Sequence, residues 1–202
     1  MRLAILLSGR GSNFAAIHRA ITDGRLKAEI VCVISNVPDA PGLARARELG
    51  LSAHAVNHRV YPTRAAHEEE VLRILAEAEP DFICLAGYMR LLTPAFIAAW
   101  PHRIVNIHPS LLPAFPGVDA QAEALAYGVK VSGCTVHFVD ENLDAGPIIV
   151  QRAVQVREDD TVETLSARIL EQEHVAYVEA LALLGTRKWQ IEGRRVKFEA
   201  NS

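Results

Sequence analysis

The sequence predicts an α/β fold: a mostly parallel central sheet with helices on both faces, and antiparallel strands toward the C-terminal half. Three observations predict it. Apolar runs of strand length at Arg2–Leu7, Glu29–Ser35, Asp81–Ala86 and Arg103–Asn106 alternate with stretches of helical spacing. Runs that are apolar throughout suit strands buried on both faces, as parallel sheets require. Beyond Lys130 the strand pairs are joined by tight loops, which link neighbours of opposite direction.

Composition bounds the rest. The 202 residues, half of them hydrophobic, suit one domain over 1–202 with a full core. A net charge of -3 argues against a nucleic-acid or membrane-surface partner. No apolar run approaches the roughly 20 residues that span a bilayer, and the opening MRLAILL reads as a first strand rather than a signal peptide. Cys32, Cys84 and Cys134 stand far apart in apolar runs, as buried thiols of a reducing, cytoplasmic compartment do. The eight histidines form no HExxH and no paired Cys/His spacing, so no protein-bound metal is expected.

The first strand ends in Ser8-Gly9-Arg10-Gly11-Ser12-Asn13, and Phe14, Ile17 and Ile21 continue at helical spacing until Gly24. A strand, a glycine-rich turn and a helix N-terminus form an anion cradle, because unpaired N–H groups and the helix dipole face the ligand. The loop lacks the Lys of a Walker A. It is also an incomplete dinucleotide fingerprint, with Phe14 where the third glycine belongs and Asn36, not an acidic residue, ending the second strand. The expectation is one phosphate; the alternative is a tight turn that needs glycine for geometry alone.

Gly42–Leu49 reads as a short helix, Ser52–Val56 as a brief strand and Arg64–Glu79 as an amphipathic helix stopped by Pro80. Gly87-Tyr88-Met89-Arg90-Leu91-Leu92 follows the next strand. This apolar loop either walls a flat heterocycle, with Arg90 for a carboxylate, or packs on the helix Pro94–Trp100. Then comes Arg103-Ile104-Val105-Asn106-Ile107-His108-Pro109. Asn106 and His108 alternate along a strand and project together at its C-terminal end, where open α/β sheets bind ligands. A fixed amide donor beside a group that titrates near neutrality suits attack on a carbonyl; a turn-capping Asn and a surface His are the alternative.

A short helix is expected at Ala120–Tyr127 and a strand at Lys130–Val139, where His137 reads as a hydrogen-bonded interior residue. Asp140–Pro147 is an acidic loop before the strand Ile148–Val156. It is either a solvated bend or, if these strands neighbour the Asn106 strand, a carrier of Asp144 to the edge of His108, where a carboxylate favours the imidazolium. Thr161 opens the longest helix, with an apolar stripe through Leu165, Ile169, Ala176 and Leu184, and Gly185 closes it. The tail 189–198 reads as a hairpin around Gly193. The whole pattern is Rossmann-like.

The run Asn106-Ile-His-Pro-Ser-Leu-Leu-Pro113, with Asp144 downstream, resembles the formyltransferase family that uses 10-formyltetrahydrofolate. The Ser-Gly-Arg-Gly-Ser-Asn loop and the chain length resemble the branch whose acceptor is the amine of glycinamide ribonucleotide. LAGYMRLL at 85–92, TVHFVDENLDAGPII at 135–149 and QEH at 172–174 extend the likeness. The resemblance implies a purine-synthesis enzyme, with Asn106, His108 and Asp144 as its catalytic trio. It assigns Gly11, Ser12, Asn13 and Glu173 to the ribonucleotide, and Arg64, Met89, Arg90, Leu91, Leu92 and Asn106 to the folate. It implies 10-formyltetrahydrofolate as co-substrate, no metal, small-molecule partners only, and a monomer or homodimer. In one place the chain departs. Where some members read Pro-Gly-Leu-His-Thr-His, it reads Pro116-Gly117-Val118-Asp119-Ala120-Gln121, so no loop-histidine role carries over.

Three other readings use parts of the same sequence. The tRNA-modifying members share the trio but add an RNA-binding domain after it. The hydrolytic members replace the amine by water and add a domain before the first strand. A non-catalytic nucleotide-binding module needs only the glycine loop and leaves His108 and Asp144 without a purpose.

Overall fold

Residues Leu3–Leu7 are fully buried, which makes strand β1 (Arg2–Leu7) the centre of the first layer. Each large aliphatic side chain buried this way stabilises the fold by about 1.5–3 kcal/mol. The computed structural model describes residues 1–199 and resolves into two compact units, Met1–Val105 and the chain from Asn106 onward.

In the first unit, β1 is followed by α1 (Ser12–Thr22), β2 (Glu29–Ser35), α2 (Pro41–Glu48), β3 (Ala53–Ala55), α3 (Arg64–Ala78), β4 (Phe82–Leu85) and α4 (Pro94–Ala99). Its strands lie in the order β3-β2-β1-β4, all parallel, with Leu6 paired to Ile34 on one side and Leu85 on the other. That is the buried, near-continuously apolar sheet the sequence predicts. Threonines cap two of the helices: Thr63 accepts from Ala66 N at the start of α3, and Thr93 from Phe96 N at the start of α4.

Strand β5 (Ile104–His108) begins in the first unit and carries its last three residues into the second. It runs two residues beyond the expected end at Asn106. The residue before a proline is held in extended backbone and proline has no N–H to continue a ladder, so the strand stops at His108, just before Pro109.

The second unit continues with α5 (Ala120–Tyr127), β6 (Val131–Phe138), β7 (Ile148–Gln155), α6 (Val162–Thr186), β8 (Trp189–Glu192) and β9 (Arg195–Phe198). The β6–β7 and β8–β9 pairs are antiparallel, as the tight loops predict, while β9 runs parallel to β7. The 25-residue α6 buries Leu165, Ile169, Ala176, Tyr177, Ala180, Leu181 and Leu184 against β6 and β7. Gly133 is required in β6 because a Cβ there would stand 2.1 Å from Arg152 O on β7.

The three cysteines are free and buried, and desolvation pushes the Cys32 and Cys134 thiols up to about 12. Among the described residues no helix is long and apolar enough to cross a membrane.

Candidate active site

Four polar side chains of the second unit meet at the end of β5. Asn106 and His108 come from the strand, His137 from the last turn of β6, and Asp144 from the loop between β6 and β7. His108 Nδ1 lies 3.4 Å from Asp144 Oδ2, and His137 Nε2 lies 3.8 Å from Asp144 Oδ1. Asn106 Nδ2 lies 3.2 Å from His137 Nε2. Both histidines are buried, at 4% and 2% exposure. An acid–imidazole pair so largely removed from solvent interacts far more strongly than one in water.

The hydrogen-bond geometry assigns roles to the ring nitrogens. His137 Nδ1 faces the carbonyl of Phe138 at 2.8 Å and so carries the hydrogen. Its Nε2 is then a bare acceptor for the Asn106 amide. Burial pushes the His137 pKa down, against the raising influence of the Phe138 carbonyl and Asp144, which keeps this ring neutral. His137 therefore orients Asn106 by accepting from Nδ2. His108 differs: Nε2 donates to the Phe115 carbonyl at 2.8 Å, while Nδ1 faces the carboxylate. Both of its ring nitrogens thus face oxygen atoms.

The loop after β5 is held from beneath. Thr135 Oγ1 donates to Ser110 O at 2.7 Å and accepts from Leu112 N at 3.0 Å; Gln151 Nε2 reaches Leu112 O at 2.9 Å. Ser110 Oγ donates to Ala114 O at 2.6 Å. The loop then folds over the pair: Phe115 adopts φ 52° and presents its carbonyl to His108, and Gly117 N donates to Asp144 Oδ2 at 2.9 Å. Asp144 itself sits at φ 48°. Gly146 lets its loop close, since a Cβ there would stand 1.8 Å from Phe138 O.

The expected trio is thus brought together, and sequence reasoning understated His137, which is interior and hydrogen-bonded but also part of the cluster. Its signal was the alternation along β6 that places it on the face of Thr135. The contributions of the Phe115 carbonyl and the Gly117 amide are backbone groups, with no residue type to announce them. Glu173 is a buried residue of α6.

The remaining expected residues lie in the first unit. Gly11 is the N-cap of α1 at φ 70°, with no side-chain cap, and Ser12 and Asn13 are the first two helical residues. Gly11 and Gly42 need their missing side chains: a Cβ on Gly11 would meet Gly42 Cα at 3.0 Å, and one on Gly42 would meet Gly9 O at 3.0 Å. The segment after β4 presents Met89 and Leu91 to solvent, 69% and 57% exposed, while Tyr88 is buried beneath. Arg90 and Leu92 are half-buried, and Arg64 is the exposed first residue of α3. Among the described residues, no group of three His, Cys, Asp or Glu side chains is placed to hold a metal ion.

An amide, two imidazoles and a carboxylate thus stand together at one strand end. Residues 1–181 match the family model described as formyl transferase, and the chain belongs to that family. It is 38% identical over 202 residues to the phosphoribosylglycinamide formyltransferase of Escherichia coli strain K12, covering all of this chain and 92% of that protein. The glycinamide ribonucleotide transformylase 1 structure from Symbiobacterium toebii superposes with a TM-score of 0.95 at 49% identity, over 98% of this chain and 93% of that one. The chain is also 48% identical over 187 residues to the trifunctional purine biosynthetic protein adenosine-3 of Drosophila pseudoobscura pseudoobscura. That match covers 92% of this chain but only 14% of that much longer relative.

Proposed function

We propose that the chain is a phosphoribosylglycinamide formyltransferase, moving a formyl group from 10-formyltetrahydrofolate to the amine of glycinamide ribonucleotide in purine synthesis. The products are formylated ribonucleotide and tetrahydrofolate. On this reading residues 1–202 act as one formyltransferase domain, in the cytoplasm, as a monomer or homodimer. The observation that carries the reading is the cluster of Asn106, His108, His137 and Asp144 in a chain of this family.

The amine nitrogen attacks the formyl carbon, and the electron pair of the carbonyl moves onto the formyl oxygen. Asn106 and His108 donate to that oxyanion. Preorganised donors of this kind are typically worth about 3–4 kcal/mol each. From Nε2, His108 can do so once the Phe115 carbonyl has moved aside. Asp144, directly or through a water, takes a proton from the attacking nitrogen; the carbon–N10 bond then breaks as N10 of the folate gains a proton. The same carboxylate sustains the charge on His108. Gly11, Ser12 and Asn13 hold the ribonucleotide phosphate with helix N–H groups and the dipole, and Glu173 contacts the same substrate. Met89, Arg90, Leu91 and Leu92, with Asn106, line the folate, and Arg64 meets its glutamate tail.

The test is release of tetrahydrofolate from 10-formyltetrahydrofolate with glycinamide ribonucleotide, with initiator methionyl-tRNA, or with neither. Release that needs the ribonucleotide is expected. Release without an acceptor would mark a hydrolase, release with tRNA alone an RNA-modifying enzyme, and none at all a binding module.

A further inference from the structure

Along the C-terminal edge of the first unit's sheet, one hydrogen-bond relay links four neighbouring strand ends in strand order. After β3, His58 Nδ1 donates to Asn36 O at 2.9 Å. After β2, Asn36 presents Oδ1 to the Ser8 hydroxyl, which donates at 2.5 Å. After β1, the same Ser8 oxygen accepts from Met89 N at 2.7 Å, and Ser8 N donates to Gly87 O at 3.0 Å. Two contacts from Ser8 thus fasten the start of the segment that follows β4.

Its far end is fastened as firmly. The Glu68 carboxylate, only 4% exposed, accepts from Thr93 N at 3.0 Å and from the Thr93 hydroxyl. Between the two fastenings Met89 and Leu91 stand out into solvent. Two exposed apolar side chains on a short segment gain nothing from the fold by themselves. A relay that ties the backbone beneath them to buried polar groups fixes where they point.

We infer that Ser8 and Asn36 are positioning residues that hold the 87–92 segment in the geometry that receives the folate. The inference rests on the proposed function for the role of that segment. Asn36 is 3% exposed and gives its side-chain oxygen to the Ser8 hydroxyl, so it acts through Ser8 rather than on a ligand. This accounts for an Asn where dinucleotide-binding folds carry an acidic ribose reader at the end of the second strand.

The experiment compares the full-length wild-type protein with Ser8→Ala, Asn36→Ala and Ser8→Thr, which keeps the hydroxyl. Amide exchange at Met89 accelerates about 10-fold or more in both alanine variants, because its acceptor is lost or freed to rotate. The KM for 10-formyltetrahydrofolate rises about 3- to 10-fold, the loss expected for one neutral hydrogen bond, while kcat stays near wild type. Ser8→Thr restores both readouts. Unchanged Met89 exchange in both alanine variants overturns the relay. Faster exchange with an unchanged folate KM, or an equal loss across kcat and both substrates' KM values, overturns the positioning role. If the wild-type protein turns over no formyl folate, the functional reading fails, and the exchange data alone decide whether the relay holds the segment.

Discussion

Asp144 Oδ2 serves two partners at once: it lies 3.4 Å from His108 Nδ1 and accepts from Gly117 N at 2.9 Å. One carboxylate oxygen therefore ties the imidazole to the loop that covers it. Removing its charge while keeping its shape separates the two roles. Asp144→Asn and His108→Ala each lower kcat by about 10²-fold or more, with an unfolding midpoint close to wild type. Near-native turnover in either variant would falsify the roles assigned to this pair.

On the proposed mechanism, His137 acts through the Asn106 amide that it orients. His137→Ala accordingly lowers kcat less than His108→Ala does, by about 10-fold, the value of one charge-free orienting contact. Steady-state kinetics of the two variants side by side make the comparison. Equal losses would mean that His137 touches the reacting atoms.

Gly146 has no room for a side chain, with Phe138 O at 1.8 Å from a built Cβ. Gly146→Ala must displace the loop that carries Asp144. A destabilisation of about 1–3 kcal/mol is expected, and kcat falls further than a change in stability alone produces. Denaturant titration and turnover on the same samples separate the two effects.

Stability depends on pH through the buried histidines. Burial lowers the pKa of His67, whose Nε2 donates to Val56 O at 2.9 Å, and of His137. Each binds a proton more readily when unfolded, where the value is about 6.5. Between the folded and unfolded values the unfolded state holds more protons, so stability rises with pH there and falls as pH drops below about 6.5. His67→Gln flattens that slope in thermal melts from pH 8 to 5. Arg168 holds the Asp160 carboxyl down, and its contribution disappears only at lower pH, below about 4.

Much of this was readable from residue types. Apolar runs marked the strands within a residue or two, because burial on both faces leaves no room for polar side chains. Asn106 and His108 were legible as a pair because a strand's period of two puts them on one side. Asp144 was legible only conditionally, since its distance from His108 depends on which strands are neighbours. Gly11 announced a left-handed backbone, but Phe115 at φ 52° did not, being a residue that seldom adopts it. The Ser8–Asn36 contact was hidden for another reason. It joins 28 positions of sequence separation through two common polar residues, and only the parallel pairing of β1 with β2 brings them together.

On the proposed mechanism, the Phe115 carbonyl on His108 Nε2 makes substrate capture an exchange rather than an addition. An incoming oxygen must displace a protein oxygen already bonded at 2.8 Å, so the observed affinity reflects the difference between two bonds to the same hydrogen. It is further scaled by the fraction of molecules in which the loop has released. A change that weakens the Phe115 contact alone would tighten apparent binding without adding any contact to the ligand.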